Sequence, residues 1–70
     1  MPDVPAHITG TVWKIETKVG DEVKAGDVLV IIESMKMEMP VEAPEDGRVA
    51  AIRCRETQPV SEGDVLVVLK

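Results

Sequence analysis

Apolar residues fall in short runs separated by polar turns, and the pattern occurs twice. Val28–Glu33 reads Val-Leu-Val-Ile-Ile-Glu, and Val65–Leu69 reads Val-Leu-Val-Val-Leu. Each run follows a Gly-Asp pair, Gly26-Asp27 or Gly63-Asp64. Continuous β-branched runs of this length predict strands buried on both faces or set in a sandwich core. In the Gly-Asp turns, Gly supplies positive φ and Asp can bond nearby backbone amides. Upstream, Thr11–Ile15 and Arg48–Cys54 predict strands with Val12, Ile15, Val49 and Ile52 turned inward. Short extended pieces at Val4–Ala6 and Val41–Ala43, and short strands around Val23 and Val60, complete each half. The best helical stretch, Glu16–Ala25, is interrupted by Gly20 and has no apolar stripe, so no helix is predicted.

The two halves are a repeat. At an offset of 37, residues 4–33 lie on residues 41–70 without a gap, and 11 of the 30 pairs are identical. Unrelated pairing would give about two identities. Identical pairs include Gly10/Gly47, Val12/Val49, Gly26/Gly63 and Leu29/Leu66. One backbone course related by approximate two-fold symmetry follows. With turn signals every ~8–12 residues, the class is a small all-β sandwich or barrel, one domain over residues 1–70. One turn departs from the repeat: Gly20-Asp21 faces Thr57-Gln58, and Pro59 replaces Glu22. Because Thr tolerates positive φ poorly, this second turn is expected to take a different course.

Residues 34–40, Ser-Met-Lys-Met-Glu-Met-Pro, belong to neither half. By symmetry they join the last strand of the first half to the first strand of the second. Gly, Asn and Asp are all absent, so ordinary hairpin chemistry does not mark a turn. A tight tip at Met35-Lys36 would force unfavourable φ values. An isolated lysine is ordinarily a solvated surface residue, and methionine is ordinarily core. Methionines clustered around one lysine at an exposed tip instead suit a surface that fits several partners. Met35, Met37 and Met39 could also offer thioethers to Cu(I), but no Cys or His accompanies them.

Composition narrows the function. Seventy residues cannot surround a large substrate, so an enzyme acting alone is not expected. The net charge is −5, and no basic patch emerges, which argues against nucleic acid and anionic membranes as partners. The single cysteine, Cys54, excludes an internal disulfide and reads as a small hydrophobe. No signal peptide or membrane-length apolar run is present. The expectation is a soluble cytoplasmic protein, monomeric alone. The start at Met1 without a Pro/Ala-rich leader favours a free-standing protein over a domain cut from a longer chain.

Glu33-Ser34-Met35-Lys36-Met37-Glu38 resembles the attachment motif of biotinyl domains, the carboxyl carriers of biotin-dependent carboxylases. The resemblance covers nearly the whole chain, including the turns Gly20-Asp21 and Gly26-Asp27, the segment Pro40–Pro44, Gly47, and the closing Glu62-Gly63-Asp64-Val65-Leu66. It implies a flattened barrel of two four-stranded antiparallel sheets with Lys36 at an exposed hairpin tip. It also implies biotin joined covalently to Lys36 by a biotin protein ligase. A biotin carboxylase then places carboxylate on the biotin ureido nitrogen, and a carboxyltransferase moves it to an acceptor. Met35 and Met37 would form a recognition collar, with Glu33 and Glu38 a solvated rim or a further ligase contact.

Three departures stand out. Ser34 replaces the commoner Ala. His7-Ile8-Thr9 stands where a Met-Pro pair often precedes the glycine, which could alter a contact near the tip. The gapless repeat leaves no room for the protruding "thumb" loop of some carriers. The rivals are a lipoyl carrier domain, which typically has Asp before the lysine and Ala after it, and an unmodified β-sandwich interaction module. Trp13, opposite Ala50 in the repeat, reads as packed or half-exposed, and His7 has no supporting partner for catalysis.

Overall fold

The computed structural model describes residues 2–70 and contains eight strands and no helix among them. They are β1 (Asp3–Pro5), β2 (Gly10–Ile15), β3 (Glu22–Val23), β4 (Val28–Ser34), β5 (Met37–Glu42), β6 (Gly47–Ile52), β7 (Pro59–Val60) and β8 (Val65–Leu69). Two four-stranded antiparallel sheets form, in the orders β1-β8-β6-β3 and β5-β4-β2-β7. The offset of 37 maps each strand of one sheet onto a strand of the other in the same order. The two-fold relation legible in the sequence is therefore the architecture itself.

The apolar runs become the core between the sheets. Val12, Leu29, Val30, Ile32, Val49, Leu66, Val67 and Leu69 are essentially fully buried. In β8 four consecutive residues, Leu66 to Leu69, are buried, as its unbroken apolar run predicts. No polar or charged residue among those described is buried, so the interior is purely apolar. Cys54 is part of that core.

Turn hydrogen bonds repeat with the same offset. Gly26 N donates to Ala43 O at 2.9 Å, and Gly63 N donates to Ala6 O at 2.8 Å. The Asp27 carboxylate accepts from Lys24 N at 2.9 Å, and the Asp64 carboxylate accepts from Ser61 N at 2.8 Å. Gly26 and Gly63 have φ of 93° and 96°, the left-handed geometry these turns require.

Three expectations are corrected. The strand placed at Arg48–Cys54 ends at Ile52, and Cys54 lies in the irregular segment leading to the Glu56-Thr57 turn. The extended piece placed at Val41–Ala43 is the end of a longer strand beginning at Met37, because pairing with β4 continues to the hairpin. The Thr57 turn does not take a different course. Thr57 has φ 72°, and its amide donates to Val12 O as that of Gly20 donates to Val49 O. Gln58 Oε1 accepts from Arg55 N at 2.9 Å, standing in for the Asp21 carboxylate on Lys18 N at 3.0 Å. Packing against β2 imposes this geometry over the local preference of threonine.

Candidate functional site

The site is the hairpin between β4 and β5. Ser34 pairs with Met37, Glu33 with Glu38, Ile32 with Met39 and Ile31 with Pro40. That register leaves Met35 and Lys36 as a two-residue loop. Their φ values are 52° and 65°, the positive values a type I′ hairpin requires at both central positions. Such turns ordinarily use Asn-Gly, so two long side chains here carry backbone strain of roughly 1–3 kcal/mol each. A loop this short has no slack, and the lysine is held by the ladder beneath it.

Lys36 is exposed, and among the described residues it takes part in no ion pair. Met35 is 92% exposed and Met37 63% exposed. Met39 is half-buried, and Val41, two residues on, is in the core. Met37, Met39 and Val41 thus share one face of β5 and sink progressively into the sandwich. Met35 lies in the turn, so the three thioethers are not gathered on one strand face. Glu33 and Glu38 pair directly across the ladder, both exposed, at the root of the tip.

The hairpin rests on the segment before β2. Ser34 Oγ donates to Thr9 O at 3.0 Å, and Thr9 Oγ1 accepts from Glu62 N at 3.1 Å. Gly10 lies beneath: a Cβ there would stand 2.5 Å from Glu33 O and 2.8 Å from Ile32 Cγ2. Its φ is not in the left-handed region, so this glycine serves close approach rather than turning. This seat was not assigned a role from sequence. The Gly10/Gly47 identity was the signal available for it. The departures Ser34 and His7-Ile8-Thr9 do meet at the tip, through Ser34 and Thr9, while the exposed His7 makes no side-chain hydrogen bond among the described residues.

Two of the larger surface grooves lie away from the lysine. One runs between β1 and β5, lined by Val4, Pro5, Pro40 and Val41; the other lies beside Glu16, Asp21, Val28 and Ile31. Lys36 stands on a protrusion. Trp13 is 45% exposed, with Lys14 Nζ 5.8 Å from its ring centroid.

The Biotin_lipoyl family profile, described as biotin-requiring enzyme, matches residues 1–69. The chain belongs to this family. The biotinyl domain is 41% identical over 66 residues to the biotin/lipoyl attachment protein of Bacillus subtilis (strain 168), covering 94% of this chain and 90% of that one. It is 39% identical over 67 residues to the biotinylated protein TB7.3 homolog of Mycobacterium leprae (strain TN), covering 96% and 94%. Among solved structures, the Kluyveromyces lactis urea carboxylase superposes with a TM-score of 0.93 at 39% identity, over 99% of this chain and 6% of that chain. The biotinyl domain therefore matches small attachment proteins over nearly their full length and large carboxylases over a small part of theirs.

Proposed function

We propose that this biotinyl domain is a biotin carboxyl carrier, with biotin joined to Lys36 by a biotin protein ligase. The observation that carries the reading is Lys36 on a strained two-residue tip, flanked by the exposed thioethers of Met35 and Met37. Ligation forms an amide between the Lys36 Nζ and the biotin carboxyl; the acyl–phosphate bond of the ligase's biotinyl-adenylate breaks, AMP leaves and the amine's proton is given up to the ligase or solvent. The attacking amine must enter the ligase's active site, and an exposed tip gives it that access. The ligation removes one positive charge and takes the formal net charge from −5 to −6.

Bound biotin supplies a ureido nitrogen that holds carboxylate for transfer. The chain's own part is mechanical. It holds the arm on a rigid ladder and presents it to a biotin carboxylase and a carboxyltransferase in turn. With Lys36 on an exposed hairpin tip, those partners' sites supply the bond chemistry. Alternation between two sites favours small, weak contacts, and a narrow tip provides little area. The family takes in both attachments, and a relative named as biotinylated supports biotin over lipoate. The Met-Lys-Met flank supports it independently.

The test is co-expression with a biotin protein ligase, followed by peptide mapping of the intact-mass shift. Biotin is expected on Lys36 alone. Biotin on Lys14, Lys18, Lys24 or Lys70, or lipoate on Lys36 in a host supplying both cofactors, would overturn the reading.

A further inference from the structure

Oxidisable side chains are distributed unevenly over this molecule. Cys54 is 7% exposed, and burial pushes its thiol further from the reactive thiolate. Met39 is half-buried on β5. Met35 and Met37 are the two most exposed large apolar side chains among the described residues, and they flank Lys36. A peroxide approaching the folded surface therefore meets accessible thioether sulfur beside the lysine.

We propose that Met35 and Met37 are a reversible oxidation site, and that their conversion to methionine sulfoxide slows modification and use of Lys36. This rests on the carrier reading above. The co-reactant is a hydroperoxide. The thioether sulfur attacks one peroxide oxygen, the O–O bond breaks, an S–O bond forms, and water or an alcohol leaves. Sulfur loses two electrons and the peroxide gains them. A thiol-dependent sulfoxide reductase restores the thioether: the S–O bond breaks, the oxygen leaves as water, and two reductase thiols are oxidised to a disulfide.

Oxidation turns a flexible apolar side chain into a polar, chiral one. At a core position that change would disrupt packing. Met35 and Met37 lie beyond the sandwich core, so the fold stays intact while the surface offered to partners changes. The effect is confined to recognition because these side chains bury so little in the free domain.

The experiment treats the apo domain with graded hydrogen peroxide and maps oxidised peptides. It then measures ligation rate and urea midpoint on the same samples. The untreated protein is assayed first. Absence of biotin on Lys36 there would sink the carrier reading and this proposal with it. If biotin is present, Met35 and Met37 should oxidise before Met39. Ligation kcat/KM should then fall about tenfold, the size expected from losing one well-buried thioether contact at a partner surface. The urea midpoint should hold, and methionine sulfoxide reductases should restore the rate. In a Met35→Leu, Met37→Leu variant the ratio of treated to untreated rates should return to one. Unchanged ligation after both sulfoxides form would overturn the proposal and leave the carrier reading standing. So would Met39 oxidising first, or an equal loss in the leucine variant.

Discussion

Thr57, at φ 72°, holds the same left-handed turn as its repeat partner Gly20, at φ 96°. Their amides make equivalent bonds, Thr57 N to Val12 O at 2.7 Å and Gly20 N to Val49 O at 2.9 Å. One turn meets the requirement with a residue that has no Cβ. The other meets it against the preference of a β-branched side chain. The sandwich therefore over-determines this turn, and part of its stability is spent holding Thr57.

Thr57→Gly should stabilise the domain. Left-handed geometry costs an L-residue roughly 1–2 kcal/mol, and the added unfolded-state freedom of glycine returns about 0.5–1 kcal/mol of that. A net gain near 0.5–1 kcal/mol is expected in urea melts. Gly20→Thr should move the midpoint the other way. A lower midpoint for Thr57→Gly would show that the threonine side chain contributes more than its backbone costs.

Gly10→Ala should damage the fold more than Gly47→Ala, although the two are repeat partners. At Gly10 a methyl group would meet Glu33 O at 2.5 Å, within a paired strand. At Gly47 the nearest atom is Lys70 O at 3.1 Å, a tight contact that a shift of a few tenths of an ångström relieves rather than a clash. Overpacking of the first kind costs about 1–3 kcal/mol. Because Glu33 and Ser34 root the hairpin, Gly10→Ala should also speed amide exchange at Met37. Equal midpoints for the two variants would remove Gly10 from the seat of the tip.

Most of this architecture was legible because the halves share their informative residues. Gly26 and Gly63, and the apolar runs that follow them, carry turn chemistry and burial in plain form. The tip was legible only indirectly: Met35-Lys36 lacks every residue that marks a type I′ turn, and the repeat arithmetic located it. The Thr57 turn was misread because local preference is a weak guide where neighbouring strands dictate the geometry. The long β5 was missed because Met37–Pro40 has no strand signature of its own. Its pairing comes from β4. The Ser34–Thr9 bond joins residues 25 apart, and no local pattern encodes it.

Lys36→Ala should abolish biotinylation while shifting stability by no more than about 0.5 kcal/mol, since an exposed tip side chain adds little burial. The double change Met35→Asn, Lys36→Gly should also abolish modification, yet melt later than the parent, because Asn-Gly suits positive φ at both positions. Together the two variants separate the chemistry of the lysine from the strain of holding it. A parent that melts later than the Asn-Gly variant would mean that the tip is not strained.

The alkaline limb of stability should carry the signature of Cys54. Burial raises its thiol above the ordinary 9.0, so the folded state keeps the proton where the unfolded chain releases it. As pH rises above about 9, the unfolded state binds fewer protons than the native state, and stability falls through that window. Below it both states are protonated and Cys54 adds no slope. Urea midpoints of the parent should decline from pH 9 upward more steeply than those of Cys54→Ala. Parallel curves would mean that the thiol does not titrate differently in the two states.

The methionines separate packing from recognition, and Met37 is the sharper test because it shares a strand face with the buried Val41. If Met37 packed as core, Met37→Ala would resemble Ile32→Ala, expected to cost about 2–5 kcal/mol at a fully buried position. At 63% exposure its truncation removes side chain that is mostly already in water. The urea midpoint should therefore barely move, while ligation or carboxyl transfer slows, because a flexible thioether shapes itself to more than one partner surface. Both rates and the midpoint are to be measured on each single variant. A large midpoint drop with unchanged rates per folded molecule would return Met37 to ordinary packing and leave Lys36 to rest on its position in the turn.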